Sequence, residues 1–153
     1  MTPEEMDRLI EEHMRAEDTG DLDAAVAVYT DDVEHDVVGA PGGPLRGPAA
    51  ARARYAELLS NIRGGDMVLR RRYHAPSTST APDACIVEHD VTATVVGHFA
   101  GVPGRGREIR FRLLHVFEFS GGLISRENVW MDTATVMAQL TAPAEASTDA
   151  VRV

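Results

Sequence analysis

The chain contains 153 residues, of which 44% are hydrophobic and 25% are charged, and this composition is typical of a globular protein. A net charge of −9 argues against nucleic acid and against an anionic membrane surface as partners, because both recruit basic proteins. The single cysteine, Cys85, excludes an intrachain disulfide, and the N-terminus lacks a secretory signal, so we expect a cytoplasmic protein.

The N-terminal residues predict an amphipathic helix. Thr2, Pro3 and Glu5 provide a capping box with proline at the first helical position, and Gly20 provides a stop. Between them, apolar residues recur at helical spacing, and His13 lies on the same stripe. His13 is therefore either a core residue or a residue at the rim of a cavity.

Two further helices and a short strand follow. The second helix begins after its cap, Asp21, and carries Tyr29 on its apolar face. Residues 33–38 alternate and predict a strand, and a third helix that carries Tyr55 begins near Pro48. We interpret Tyr29 as core, whereas Tyr55 either belongs to the core or places its hydroxyl in a cavity.

The apolar period changes from about 3.6 to two after the third helix. Strands are predicted over 67–74, 85–96, 108–119 and 123–132. A hairpin at Gly121-Gly122 joins the last two, a short helix covers 133–140, and 141–153 has the composition of a disordered tail. This order predicts an α+β fold, in which a curled antiparallel sheet and its helices enclose a cavity.

Three segments carry a resemblance to a known family. They are DDVEHDVVGAPGGPLRGPAA at 31–50, GHFAGVPGRGREIRF at 97–111 and FEFSGGLISRENVWMDTATVMAQL at 117–140. In this order they resemble the SnoaL-like polyketide cyclase group of the NTF2-like superfamily. The resemblance implies one domain over 1–140, with a cone-shaped barrel whose curved antiparallel sheet packs on three N-terminal helices. It also implies a homodimer and no metal or organic cofactor.

The resemblance further implies a function. SnoaL-like cyclases close a ring by an intramolecular aldol step, in which a pocket carboxylate acts as general acid and base. We therefore expect a cofactor-independent enzyme of polyketide-type biosynthesis, such as antibiotic biosynthesis, that cyclises or isomerises a small hydrophobic substrate. Two alternatives remain open: epoxide opening similar to limonene epoxide hydrolase, and a non-catalytic module for ligand binding or dimerisation.

Asp132 is the first candidate for the catalytic acid and base. It ends the last predicted strand, where alternation places it on one face with Asn128 and Trp130. A carboxylate beside a tryptophan under the helices would be desolvated, which raises its pKa toward the range useful for proton transfer. Asp132 also directly precedes a helix, so an N-cap is the competing interpretation.

His115 is the second candidate, because it interrupts an apolar strand face that includes Phe117. A neutral imidazole there could move a proton or orient a carbonyl, although a histidine on an apolar face is also a common core residue. The predicted hairpin places His115 close to Asn128 across the pair, with Asp132 a few residues further along. We therefore predict that His115 assists Asp132.

The strand 85–96 has two faces that the sequence does not distinguish. Glu88 and Asp90 share one face, and His89 lies on the other. If the carboxylates face inward, Asp90 could activate water as in limonene-epoxide-hydrolase-like enzymes, although Glu88 stands where that family has arginine. If His89 faces inward, the pocket contains a second histidine.

His35 completes the candidate set, because it matches a strand histidine that is frequent in SnoaL-like proteins. We interpret it, together with Tyr55 and Trp130, as a substrate contact. We predict no metal site, because the sequence contains no HxH, HExxH or CxxC spacing. Cys85 lies in an apolar strand and is interpreted as structural.

Overall fold

The computed structural model of the chain describes residues 1–143. Most of the predicted tail, 141–153, therefore lies outside the described residues, although Thr141 still belongs to the last helix. The helices are α1 (Pro3–Thr19), α2 (Leu22–Ala27), α3 (Pro48–Asn61) and α4 (Thr133–Thr141). The strands are β1 (Tyr29–Val37), β2 (Leu45–Arg46), β3 (Ile62–Arg63), β4 (Met67–Ala75), β5 (Asp83–Val95), β6 (His98–Phe99), β7 (Val102–Pro103), β8 (Arg107–Ser120) and β9 (Leu123–Met131). Within 1–143, no helix combines the length and apolar character that crossing a bilayer requires.

Helix α1 begins and ends where the sequence predicts. The Thr2 hydroxyl accepts a hydrogen bond from the Glu5 N–H at 3.2 Å, and the Glu5 carboxylate accepts one from the Thr2 N–H at 2.9 Å. Gly20 adopts a left-handed conformation with φ of 73°, which ends the helix at low steric cost. The buried face of α1 includes Ile10 and His13.

The interpretation of Tyr29 as a helical residue is wrong. Helix α2 ends at Ala27, and Tyr29 is the first residue of β1, which starts four residues earlier than the alternation at 33–38 predicts. The β-branched residues Val28 and Thr30 flank Tyr29 and favour extended backbone. Pairing with Ile124 of β9 fixes the start of the strand.

The main sheet has the strand order β2-β1-β9-β8-β5-β3, and β4 also pairs with β5. The predicted α+β class is confirmed, and β5, β8 and β9 are antiparallel neighbours as expected. Gly121 and Gly122 turn the β8–β9 hairpin with φ of 60° and 82°. The parallel pairing of β1 with β9 was not predicted. A small β6–β7 hairpin lies within the segment 97–111, one of the three that carry the family resemblance.

A bulge in β9 determines which residues face the inside of the sheet. Ile124 and Arg126 pair with neighbouring residues of β8, which leaves Ser125 without a partner. Because one extra residue reverses the alternation of side chains, Ile124 and Glu127 both face inward. Asn128 and Trp130 consequently lie on the outer face.

The core consists of two apolar clusters on the inner face of the sheet. One cluster lies between α1, α3 and the ends of the strands, with Ile10 and Phe117 at 1% and 0% exposure. The other lies beside α4, with Ile109 and Val136 both at 0% exposure. Polar residues occupy the inner face between these clusters, and they define the candidate site.

Candidate active site

On the inner face, four neighbouring strands each contribute one buried polar residue between the two apolar clusters. These residues are His35 on β1, Glu127 on β9, His115 on β8 and His89 on β5, and we call them the polar belt. His35 lies opposite Glu127 in the parallel β1–β9 pair. His115 is the diagonal neighbour of Glu127, because Glu127 pairs with Phe117. The strand register therefore assembles the belt from residues that are far apart in the sequence.

Glu127 is the centre of the belt, and the hydroxyls of two tyrosines donate hydrogen bonds to its carboxylate. The Tyr55 hydroxyl lies 2.6 Å from Oε2, and the Tyr29 hydroxyl donates to the same oxygen. Burial, and then the Glu127 charge, raise the pKa of both tyrosines well above the ordinary value. Both hydroxyls therefore remain hydrogen-bond donors at any ordinary pH.

His13 provides the positive charge next to this carboxylate. Its Nε2 lies 3.4 Å from Glu127 Oε2 and 3.5 Å from Glu17 Oε2, while its Nδ1 donates to the Ala25 carbonyl at 2.9 Å. Burial lowers the pKa of His13, but Glu127 first and Glu17 next outweigh burial and raise it to about 9. His13 is thus an imidazolium ion at neutral pH.

The histidines in turn hold Glu127 ionised. Burial raises the pKa of Glu127, but His13, then His35 and His115, more than offset this and lower it below the ordinary value. At 1% exposure, this carboxylate is a buried anion that is stabilised by hydrogen bonds and by one cation.

His115 is the belt residue of β8 that lies beside the Glu127 carboxylate. Its Nε2 lies 3.6 Å from Glu127 Oε1, a distance that a small adjustment brings into hydrogen-bonding range, and its ring stacks on Phe117. Burial lowers the pKa of His115 to about 4, although Glu127 opposes this effect and His89 adds to it. The imidazole is therefore neutral at pH 7.

Three imidazole nitrogens of the belt have no partner within residues 1–143. They are the Nδ1 atoms of His35, His89 and His115, all of which are buried. Because Glu127 favours the N–H on Nε2 of His115, its Nδ1 carries a lone pair. A buried polar atom without a hydrogen bond is costly, so these nitrogens are suited to contact a ligand or water.

The inner face keeps a small accessible surface next to these nitrogens. Val91, Phe111, Leu113 and Val129 retain 7% to 8% exposure, as does His89. They adjoin one another across β5, β8 and β9. These residues form a small, mainly apolar patch of exposed surface beside the belt.

The structure places Asp132, Asn128 and Trp130 outside the polar belt. Asp132 is exposed and caps α4, where it accepts from the Thr135 N–H at 3.1 Å and from the Thr135 hydroxyl at 2.7 Å. These two hydrogen bonds lower the pKa of Asp132. Asn128 donates to Asp36 at 2.9 Å, and the indole N–H of Trp130 donates to Asn128. The register also corrects the expected contact across the hairpin, because Asn128 pairs with Val116 and not with His115.

The structure shows which face of β5 points inward. His89 faces inward at 7% exposure, whereas Glu88 and Asp90 face outward. Arg70 lies 2.6 Å from Asp90 and 3.6 Å from Glu88. Both carboxylates thus form surface ion pairs on the face opposite to His89. A groove of about 330 Å³ is lined by Glu88 together with Trp130, Asp132 and Leu113.

Five of the sequence candidates do meet on the inner face: His35, Tyr55, His89, His115 and Phe117. Sequence reasoning did not identify Glu127 or Glu17 as site residues, and it left His13 without a role. The only sequence signal for His13 was its place on the apolar stripe of α1. Glu127 gave no such signal, because it lies between the polar residues Arg126 and Asn128.

One group of side chains within 1–143 has the geometry of a metal site, and it lies outside the belt. Ligand atoms of Asp7, His74 and Cys85 lie within 4.8 Å of one another. The guanidinium of Arg72 already pairs with Asp7 at 2.9 Å. Burial raises the pKa of the Cys85 thiol to about 11, which opposes metal ligation because a thiolate is the binding form.

Comparison with known proteins identifies the family. The SnoaL-like domain matches residues 10–127, or 118 of the 153 residues. The chain belongs to this family. No curated protein matches the chain.

Solved structures share the fold at low sequence identity. A candidate polyketide cyclase from Xanthomonas campestris pv. campestris has 20% identity and a TM-score of 0.74, covering 90% of this chain and 98% of its own. TsrD from Streptomyces laurentii has 20% identity and a TM-score of 0.75, and the match covers 94% of this chain and 99% of TsrD. An LEH-like epoxide hydrolase from M. tuberculosis has 19% identity and a TM-score of 0.62, and the match covers 87% of this chain and 86% of the hydrolase chain. The predicted NTF2-like, SnoaL-like fold is confirmed.

Proposed function

We propose that this protein is a cofactor-independent enzyme that cyclises or isomerises a small, mainly apolar ketone of polyketide type by acid–base catalysis. The observation that carries the proposal is the pair formed by His115 and Glu127: Nε2 of a neutral imidazole faces a buried carboxylate at 3.6 Å, while Nδ1 has no partner within 1–143. In this arrangement His115 is the base, and Glu127 stabilises the imidazolium ion that forms on it.

The aldol reaction needs one proton to leave carbon and one to reach oxygen. His115 Nδ1 removes a proton from the carbon next to a ketone, and the C–H electron pair becomes the enolate. The enolate carbon attacks a second carbonyl carbon of the same molecule and forms the new C–C bond. The imidazolium then returns the proton to the alkoxide, or in an isomerisation to a different carbon, so that His115 ends as it began.

The position of the carboxylates favours this reaction over epoxide opening. Asp90 would activate water in that alternative, but its side chain pairs with Arg70 on the outer face. Asp132 would be the acid and base of the first interpretation, but it caps α4. The proposal therefore assigns the base to His115 and gives Asp132 a structural role.

Hydrogen–deuterium exchange on a simple ketone tests this proposal. The probe is β-tetralone in heavy water, with loss of the α C–H signal followed by NMR. We expect the wild-type protein to accelerate exchange, and His115→Gln to abolish the acceleration. Asp132→Asn is the matched control, because asparagine also caps helices, and it should keep the wild-type rate. The rate should be lost as the pH drops through about 4, because burial keeps His115 neutral above that value.

Three other results would point elsewhere. Loss of exchange in Asp132→Asn with retention in His115→Gln would return the base to Asp132. Opening of styrene oxide with incorporation of ¹⁸O from labelled water, without ketone exchange, would favour the epoxide reaction. Binding of β-tetralone without either reaction would favour a non-catalytic module.

The homodimer also stays a prediction. Val68, Tyr73 and Trp130 are 58%, 55% and 52% exposed, and all three lie on the outer face of the sheet. Apolar side chains gathered on one face of a sheet commonly mark a contact with a partner. Light scattering after gel filtration would measure the mass, and Trp130→Glu should shift a dimer toward the monomer.

A further inference from the structure

Glu17 is a second carboxylate beside His13, and the reaction proposed above does not use it. It lies one helical turn after His13 on α1, and its side chain is 18% exposed, whereas those of His13 and Glu127 are at 0% and 1%. The distances from His13 Nε2 to Glu17 and Glu127 are nearly equal, at 3.5 and 3.4 Å. His13 Nδ1 is already bonded to the Ala25 carbonyl, so only one N–H faces both carboxylates.

We propose that Glu17 is a positioning residue for the pocket base: when ionised, it competes with Glu127 for the Nε2–H of His13 and so frees Glu127 to act on His115. This inference rests on the proposed function, since it assigns Glu17 an effect on the base of that reaction. When Glu127 accepts fewer hydrogen bonds, its carboxylate attracts the Nε2–H of His115 more strongly. The stronger attraction makes Nδ1 of His115 a stronger base.

The groups around His13 determine which of them changes its protonation state near neutral pH. The groups that face its ring are Glu17 from α1, the Ala25 carbonyl from α2, Tyr29 from β1, Tyr55 from α3 and Glu127 from β9. The tyrosines stay neutral, and Glu127 stays ionised. Glu17 therefore remains as the group that changes charge near neutral pH.

The carboxyl group of Glu17 ionises near neutral pH. Burial raises the pKa of Glu17 to about 7, with His13 opposing this effect and Glu127 adding to it. His115 is itself faced by Glu127 from β9 and by His89 from β5, with His13 and His35 further away. Burial lowers the pKa of His115 to about 4, and it also lowers the pKa values of His89 and His35, which moves all three away from pH 7. A change in the His115 spectrum near pH 7 would therefore report on Glu17.

The test is an NMR titration of the imidazole ¹⁵N signals in the ligand-free protein between pH 5 and about 10. In the wild type we expect the His115 Nε2 signal to move in one step near pH 7, in the direction of a stronger hydrogen bond. Glu17→Gln should remove this step, and it should lower the titration midpoint of His13 by about one pH unit, because one of its two carboxylates is lost. Glu12→Gln is the matched control on α1, where Glu12 lies 3.8 Å from Arg8, and it should keep both features.

The proposal is overturned if the wild-type His115 signal has no step near pH 7, a result that needs no variant. It is equally overturned if Glu17→Gln retains the step. The rate of β-tetralone exchange gives a second readout: it should rise several-fold through pH 7 in the wild type and stay flat in Glu17→Gln. An absence of exchange in the wild-type protein would refute the proposed function alone, because the NMR titration requires no substrate.

Discussion

Two carboxylates at the end of the sheet, Glu127 and Asp132, are five positions apart and have opposite environments. Glu127 is 1% exposed on the inner face of β9, and two tyrosine hydroxyls and an imidazolium surround it. Asp132 is exposed directly after β9, and its hydrogen bonds go to Thr135 of the following helix. Both have lowered pKa values, Glu127 through its histidines despite burial and Asp132 through Thr135.

The comparison shows that a shifted pKa does not by itself identify the group that transfers a proton. Neither carboxylate has the raised pKa of a general acid. What differs is the neighbour: Glu127 lies beside His115, which has an unpartnered Nδ1 within 1–143, whereas the Asp132 carboxylate accepts its hydrogen bonds from Thr135 of the following helix. The inner carboxylate can therefore support chemistry on another residue, while the outer one stabilises a helix end.

The largest expected effect is the loss of the inner carboxylate. Glu127→Gln removes the anion that compensates His13 and that accepts both tyrosine hydroxyls, and we expect the free energy of unfolding to fall by about 3 kcal/mol. Chemical denaturation measures this change. Glu108→Gln is the control, because Glu108 forms an exposed pair with Arg110 at 2.9 Å, and it should cost less than about 1 kcal/mol. Equal losses in the two variants would mean that the buried cluster does not stabilise the fold.

The sequence predicted most elements but not the face of β9. Caps and periodicity located α1, α3, α4 and the long strands, because these signals are local. The phase of β9 was missed because Ser125 forms a bulge, and the alternation that makes Ile124 an inward residue changes there. As a result, Asn128 and Trp130 lie on the face opposite to Ile124, although simple alternation groups all three on one face.

Local sequence patterns also could not predict the cluster around Glu127. His13, Tyr29 and Tyr55 come from α1, β1 and α3, and the parallel pairing of β1 with β9 is a long-range contact. Periodicity correctly placed His13 and Tyr55 on apolar helix faces, but it could not show that these faces converge on one carboxylate. His115 was identified because it interrupts an apolar strand face, which is a signal that a single strand can carry.

A smaller effect should follow from removing one donor of the inner carboxylate. Tyr55→Phe deletes the hydroxyl that lies 2.6 Å from Glu127, and hydrogen bonds to charged groups contribute about 1.5–3 kcal/mol to stability. We expect a loss of about 2 kcal/mol in the free energy of unfolding. Tyr73→Phe is the control, since Tyr73 is 55% exposed on the outer face. A similar change in both variants would contradict the strength assigned to the buried hydrogen bond.

The stability of the inner region should also depend on alkaline pH. The pKa of folded His13 is raised from 6.5 to about 9, so its contribution is fully present below pH 6.5 and is lost as the pH rises through about 9. One proton gives a slope of at most about 1.4 kcal/mol per pH unit. Thermal unfolding at several pH values about one unit apart, from neutral pH to about pH 9, measures this slope. Glu127→Gln should flatten it, because His13 then loses its main partner. An unchanged slope in that variant would assign the effect to another group.

The smallest effect is expected at the outer carboxylate. Asp132→Ala removes the cap of α4, whose Val136 and Leu140 pack on the second apolar cluster, so the first turn of α4 should exchange its amide hydrogens faster. Asp132→Asn should restore protection, because asparagine can also accept from the Thr135 N–H. Exchange of β-tetralone should remain at the wild-type rate in both variants. If Asp132→Ala slowed that reaction as much as His115→Gln, the exposed carboxylate would be the base, and the buried cluster would be a purely structural device.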